Sequence, residues 1–319
     1  MVTRRRVLRA VRVAVAVLTV AAVAYAVVTN WADVSVHLSR ISVGAFLLST
    51  LAALAGTWLT MLGWRVLLAD LGSPLELAPA SGVYFVGQLG KYLPGSLWSV
   101  LVQADMASSL KVPRRRTAVA GLLALGFSLL TGFVVGLPAA SYLIRREADG
   151  FDWWTLLALP VVAVLLVPRI LNRLIGSLLR VLRREPLEHD LSGRAVGSAV
   201  LLFILVWVTF GLHTLLLARA VAGPEPHPHL GVAALTGYAL SVSLGMLTVI
   251  LPAGLGAREG LLTLILAAAI PVAAAGAVAI VSRFIVTIVD VSCALFGWLY
   301  ARRHHLLADR RREELAPRA

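Results

Sequence analysis

Apolar runs of about 20 residues recur along the whole chain, each long enough as a helix to cross a hydrocarbon layer about 30 Å thick. Six are uninterrupted: 11–28, 45–68, 117–140, 154–168, 195–220 and 274–300. A bilayer core offers no water to a free backbone N–H or C=O, so continuous runs of this length must cross as helices. With 59% hydrophobic and 14% charged residues, the chain carries more apolar side chain than a soluble domain of its size can hide. The expected fold is all-α, a polytopic membrane helical bundle with no room for a soluble catalytic domain.

The net charge of +13 comes almost entirely from arginine, Lys91 and Lys111 being the only lysines. The positive charge clusters beside the apolar runs, which points to membrane topology and anionic-lipid contact, not to nucleic acid. Cys293 is the single cysteine, so no disulfide or thiolate metal site can form within one chain. Arg4, Arg5 and Arg6 precede a first run ending in Ala24-Tyr25-Ala26; it is read as an intact span, not a cleaved signal. His227 and His229 lack a third ligand nearby, and no metal, cofactor or catalytic constellation is expected.

Two further apolar stretches are each broken by a Leu-Pro turn among glycines and charge: Gly90-Lys91-Tyr92-Leu93-Pro94-Gly95, and Leu251-Pro252-Ala253-Gly254-Leu255-Gly256-Ala257-Arg258-Glu259-Gly260. Broken helices at membrane depth persist only where protein or a wet cavity surrounds them. Pro94, Gly95, Pro252, Gly254 and Gly256 are the predicted hinge positions. Each stretch (75–110 and 232–271) reads as two pieces, and in the first, pieces of about 15 residues would reach only about 22 Å. Re-entrant hairpins are expected.

The excess of basic residues on the cytoplasmic side supports this reading. Arg4, Arg5, Arg6, Arg9 and Arg12 place the amino terminus inside, and the cluster Lys111, Arg114, Arg115, Arg116 stays inside only if the first broken stretch enters and leaves on one side. Arg169, Arg173, Arg180, Arg183 and Arg184 lie opposite Leu171, Leu174, Leu178 and Leu182, predicting an interfacial amphipathic helix over 169–184. Arg302, Arg303, Arg310, Arg311 and Arg312 bring the carboxyl terminus inside. The chain parses as span, span, broken hairpin, span, twice over: inverted halves at 11–140 and 154–300, followed by a basic tail at 301–319. In such repeats substrate sites lie at the repeat interface, built from discontinuous helices. Gly82-Val83-Tyr84 echoes Gly237-Tyr238-Ala239.

Charges inside spans are costly and are therefore treated as candidate functional groups. They are Lys91, Asp105, Arg258, Glu259, Arg283 and Asp290, with Gln103 and His213 as neutral additions. Arg258 and Glu259 open the half-helix after the second break, where free N–H groups and the positive dipole end could join Arg258 in holding an anion; a structural Arg-Glu pair is the alternative. Arg283 and Asp290 share a face but lie about 10 Å apart. Glu259 is the expected partner of Arg283, and Arg258 that of Asp290. Lys91 either snorkels to the interface or supplies the counterpart of Arg258, and Gln103 and Asp105 are expected to line the returning half-helix. His213 reads as a helix contact, and Ser128, Gly132 and Gly136 as a close-packing stripe.

The stretch Gly87-Gln88-Leu89-Gly90-Lys91-Tyr92-Leu93-Pro94-Gly95-Ser96-Leu97-Trp98, with Leu251-Pro252 through Glu259-Gly260, resembles the two signatures of the lysylphosphatidylglycerol synthase transmembrane-region family, flippase-like integral membrane proteins. That resemblance implies a lipid-translocating or lipid-binding role. Arg258 and Glu259 match the second signature, and Arg283 resembles an arginine of the family's last span. Where many relatives carry Gly-Glu and then arginine after the first turn, this chain reads Ser96 to Gln103 without charge, which makes a polyprenyl-linked or glycolipid substrate an alternative to phospholipid. The soluble aminoacyl-transferring domain of the full synthases is not expected.

The leading expectation is a non-enzymatic lipid flippase in the cytoplasmic membrane, with both termini inside, holding an anionic headgroup between the two breaks. A membrane glycosyltransferase using a polyprenyl-phosphate sugar donor, and a scaffold for a partner enzyme, are the alternatives.

Overall fold

The computed structural model describes residues 35–37, 39–92, 97–145, 157–181, 189–223, 227–247 and 256–303. The first predicted span (11–28), the carboxyl-terminal tail beyond 303, and Pro94, Gly95, Pro252 and Gly254 lie outside them. Among the described residues there are helices and no strands. In chain order these are α1 (Val43–Asp70), α2 (Leu77–Gln88), a 3-10 turn (Leu89–Tyr92), α3 (Trp98–Ser108), α4 (Arg114–Arg145), α5 (Ala158–Leu165), α6 (Pro168–Val181), α7 (Gly193–Ala222), α8 (Leu230–Leu247), α9 (Ala257–Leu266) and α10 (Val272–Arg303).

Five of these are long and apolar enough to cross a membrane: α1, α4, α7, α8 and α10. Four correspond to expected spans. Of the other two, run 11–28 lies outside the described residues. Within run 154–168 the described helix is α5, of 8 residues, and the chain turns by 65° into α6 at the boundary expected between that run and the amphipathic helix. The cause is local, because Pro168 starts α6 and a proline fits best at a first helical position. The second broken stretch is unequal, for α8 with 18 residues is about 27 Å long and reaches across by itself.

Long helices here are apolar on every side because one face meets protein and the other meets hydrocarbon. On α7, Leu201, Leu205, Val208 and Leu212 are exposed in a stripe, while Phe203, Val206, Trp207 and Phe210 are buried. Phe203 stacks on Phe127 of α4, and Phe210 stacks on Tyr238 of α8 at 5.0 Å between ring centres.

The helices α1 and α7 pair antiparallel. Each begins with a serine cap, Ser42 and Ser192, whose hydroxyl accepts the N–H three residues on. The Asp70 carboxylate at the end of α1 accepts the Ser192 N–H (2.7 Å) and hydroxyl (2.8 Å) at the start of α7. The same end of the molecule gathers Arg116, bonded to the Gly72 carbonyl, and Asn172 of α6, bonded through both side-chain atoms to the Leu191 backbone. There α6 lies with Arg169, Arg173 and Arg180 exposed. Its inner face is Leu171, Ile175 and Leu179; Leu174, expected on that face, is 50% exposed.

Both broken stretches fold back on themselves. A methyl on Gly90 would lie 2.5 Å from the Ser99 backbone nitrogen, and one on Gly87 would meet the Gln103 side chain, so α2 and α3 run side by side in opposite directions. Gly245 faces Arg258 and Gly237 faces Ile265, giving the same reversal between α8 and α9. The packing crosses over: α2 lies on α10, α8 on α4, and α3 and α9 lie on α4 and α10 respectively.

Candidate functional site

Between the hairpins lies a cavity of about 410 Å³ walled by α1, α2, the 3-10 turn, α3, α4, α7, α8, α9 and α10. Lys91, Gln103, Arg258, Arg283 and Asp290 all line it. Lys91 and Arg258, which flank the two breaks, therefore open on the same space. Asp105 does not reach it, because it occupies the exposed face of α3 and pairs with Arg114 at 2.7 Å. Glu259 is absent from the lining but holds a residue that is present.

Gly256 supplies the turn into α9. Its φ of +82° lies in the left-handed region that glycine adopts without steric cost. The Gly256 N–H donates to Glu259 Oε2 at 2.7 Å, a carboxylate cap on the helix start. The other oxygen, Oε1, faces Arg283 Nη1 at 3.6 Å, which is the expected Glu259–Arg283 pair. Thus Glu259 shapes the break and positions Arg283.

The expected Arg258–Asp290 pair does not form. The 3-10 turn lies over α10, so the Asp290 carboxylate is taken by Lys91 Nζ (2.7 Å) and by the Tyr92 hydroxyl, which donates to Oδ2 at 2.6 Å. Lys91 is not a snorkelling lysine, since its ammonium joins a carboxylate only 4% exposed. Arg258 instead turns toward α8: its Nη2 donates to the Tyr238 hydroxyl at 2.9 Å, and its guanidinium lies 4.7 Å from that ring's centre. The residue is buried and, among the described residues, makes no ion pair. The Tyr238 hydroxyl and ring are a neutral dipole and a π face, which carry no counter-charge.

Three cations, Lys91, Arg258 and Arg283, thus meet two carboxylates, Asp290 and Glu259, around one cavity. Among the described residues the excess is one positive charge in a low-dielectric wall, where an anion is favoured. Aromatic rings bracket the cations, with Tyr92 5.6 Å from the Arg283 guanidinium. Sequence reasoning missed Tyr84, Tyr92 and Tyr238 as site residues, although the Gly82-Val83-Tyr84 and Gly237-Tyr238-Ala239 echo carries two of them. His213 takes no part in the lining. It is buried and bridges Ser49 of α1 and Ser282 of α10, at 2.7 and 2.9 Å, as a packing contact.

Residues 10–292 match the family model described as the lysylphosphatidylglycerol synthase TM region. The chain belongs to that family. The match runs through the described helices as far as residue 292 in α10, so every cavity residue of this lysylphosphatidylglycerol synthase TM-region member falls inside it. A comparison with curated proteins found no match. The match makes the chain a multi-pass membrane protein of a lipid-related family.

Proposed function

We propose that the protein is a flippase-like lipid transporter of the cell membrane, binding an anionic lipid headgroup between its two broken segments. The observation that carries this reading is Arg258, a buried cation partnered by Tyr238 and, among the described residues, by no carboxylate, opening on a cavity shared with Lys91 and Arg283. A phosphate brought to Arg258 would supply a counter-charge. Lys91 and Arg283 are already neutralised and would each have to exchange a carboxylate for the ligand. That exchange gives the two hairpins a reason to move when the headgroup arrives.

In this reading the halves are an inverted repeat and the hairpins are re-entrant. Support comes from the crossed packing: each hairpin's first limb lies on the last long helix of the other half, α2 on α10 and α8 on α4, while α1 and α7 pair antiparallel at the centre. The basic end near Arg116 and α6 would face the cytoplasm, with both termini on that side. The role is transport without catalysis.

The test is reconstitution. Vesicles holding the wild-type protein should equilibrate a fluorescent anionic phospholipid between leaflets, and Arg258→Gln should slow this by about tenfold or more. Wild-type rates in both Arg258→Gln and Arg283→Gln would refute the reading. Sugar transfer by the purified protein would replace it with a glycosyltransferase.

A further inference from the structure

Part of the cavity lining is polar without being charged: Trp64 of α1, Tyr84 and Gln88 of α2, and Ser99 and Gln103 of α3. Gln88 is partnered, its amide donating to the Tyr84 hydroxyl. Gln103 and Trp64 are different. Gln103 is 2% exposed, and its Oε1 accepts no hydrogen bond from the described residues. Trp64 is fully buried, and its Nε1 donates none among them. Two glycines fix where the Gln103 amide sits. A methyl on Gly87 of α2 would collide with its Cγ, and one on Gly121 of α4, itself a lining residue, would lie 3.3 Å from its Oε1. Along α3 the residue is about one turn from Ser99, whose backbone nitrogen lies against Gly90, next to Lys91. The unpartnered amide is therefore close to the level of the first break.

A buried amide oxygen and a buried indole N–H left without partners are destabilising, and a partner delivered by the ligand removes that cost. Its chemistry follows from the two groups. Gln103 Oε1 requires a donor, and Trp64 Nε1 requires an acceptor. An ammonium would also want a carboxylate, yet Asp290 is held by Lys91 and Tyr92, and Glu259 by the Gly256 N–H and Arg283. A hydroxyl is donor and acceptor at once, and it adds no charge to a cavity already in excess of cation. We propose that Gln103, with Trp64, reads neutral hydroxyls of the headgroup, so that the ligand is a phosphodiester lipid bearing a polyol, glycerol or sugar, and not a cationic amine. The proposal rests on the headgroup reading above and names the substrate class of that same site.

The experiment titrates the purified full chain in detergent with short-chain phosphatidylglycerol, phosphatidylmethanol and phosphatidylethanolamine of the same acyl composition. The first two carry the same phosphodiester charge, and only the first has headgroup hydroxyls. Wild type should bind phosphatidylglycerol about tenfold more tightly than phosphatidylmethanol, because a site built around a hydroxyl rejects the analogue that leaves its polar groups unpaired. Gln103→Met, unbranched and of similar length, should bring that ratio close to one with phosphatidylmethanol affinity unchanged. Its unfolding midpoint should be no lower than that of wild type, since the replaced oxygen gives up no protein hydrogen bond. Equal wild-type affinity for phosphatidylglycerol and phosphatidylmethanol overturns the hydroxyl site whatever the variant does. So does an unchanged ratio in Gln103→Met, a collapsed ratio accompanied by a lower midpoint, or tighter binding of phosphatidylethanolamine than of phosphatidylglycerol. Arg258→Gln keeps the two readings apart and should weaken both anionic lipids alike. Equal binding that still depends on Arg258 overturns the hydroxyl site alone, whereas binding that ignores Arg258 overturns the headgroup reading. Glycerol phosphate in solution competing as well as the lipid would place the ligand in water, overturning the lipid reading while the hydroxyl site stands.

Discussion

Arg258 and Glu259 are neighbours in sequence with opposite tasks. Glu259 is consumed by structure, capping α9 through the Gly256 N–H and anchoring Arg283. Arg258, among the described residues, is held by Tyr238. Glu259→Ala should therefore destabilise the protein by about 1–2 kcal/mol in denaturant unfolding in detergent, with Glu259→Gln milder because its amide oxygen can still accept the cap hydrogen bond. Tyr238→Phe keeps the stack on Phe210 but removes the hydroxyl from Arg258. Its expected signature is a change in anionic-lipid affinity with stability altered by no more than about 1.5 kcal/mol, read by titration and unfolding on the same sample.

At the scale of elements, the hairpin α2–α3 depends on a close approach that only glycine permits. A methyl on Gly90 would collide with backbone, not with a side chain that could swing away. Gly90→Ala should cost about 1–3 kcal/mol of stability and move the 3-10 turn that carries Lys91 and Tyr92, detectable as a lower unfolding midpoint together with weaker headgroup binding. The contrast is Gly126→Ala on α4, expected to cost no stability because no atom of the described residues lies within 4 Å of the added methyl; a lower unfolding midpoint would contradict this.

Across the whole molecule, the Lys91–Asp290 pair joins the first hairpin to the last long helix. Asp290→Asn should cost about 1–3 kcal/mol, less than a fully buried pair because Lys91 is 34% exposed. A double-mutant cycle with Lys91→Gln should return a coupling energy of about 1 kcal/mol or more, and a value near zero would mean that the contact does not tie the halves together. At the far end, Asp70 clasps the start of α7. Asp70→Ala should loosen the α1–α7 pair and raise hydrogen exchange at Ser192 and the following turn.

Apolar run length, charge placement and the two Leu-Pro breaks made the helical membrane fold, four of the long helices, both hairpins and the set of charged candidates legible in the chain alone. These features are local, and the physics of backbone satisfaction in hydrocarbon acts on them directly. The same locality paired Glu259 correctly with Arg283. What the chain could not reveal depended on which helix lies against which. The crossing of α2 over α10 took Asp290 from Arg258 and gave it to Lys91 and Tyr92; the exposed face of α3 removed Asp105 from the site; and the tyrosines became site residues only once α2 and α8 brought them to a common cavity. Partner choice among buried charges is decided by distances of a few ångströms between segments far apart in sequence, and only tertiary packing sets those distances.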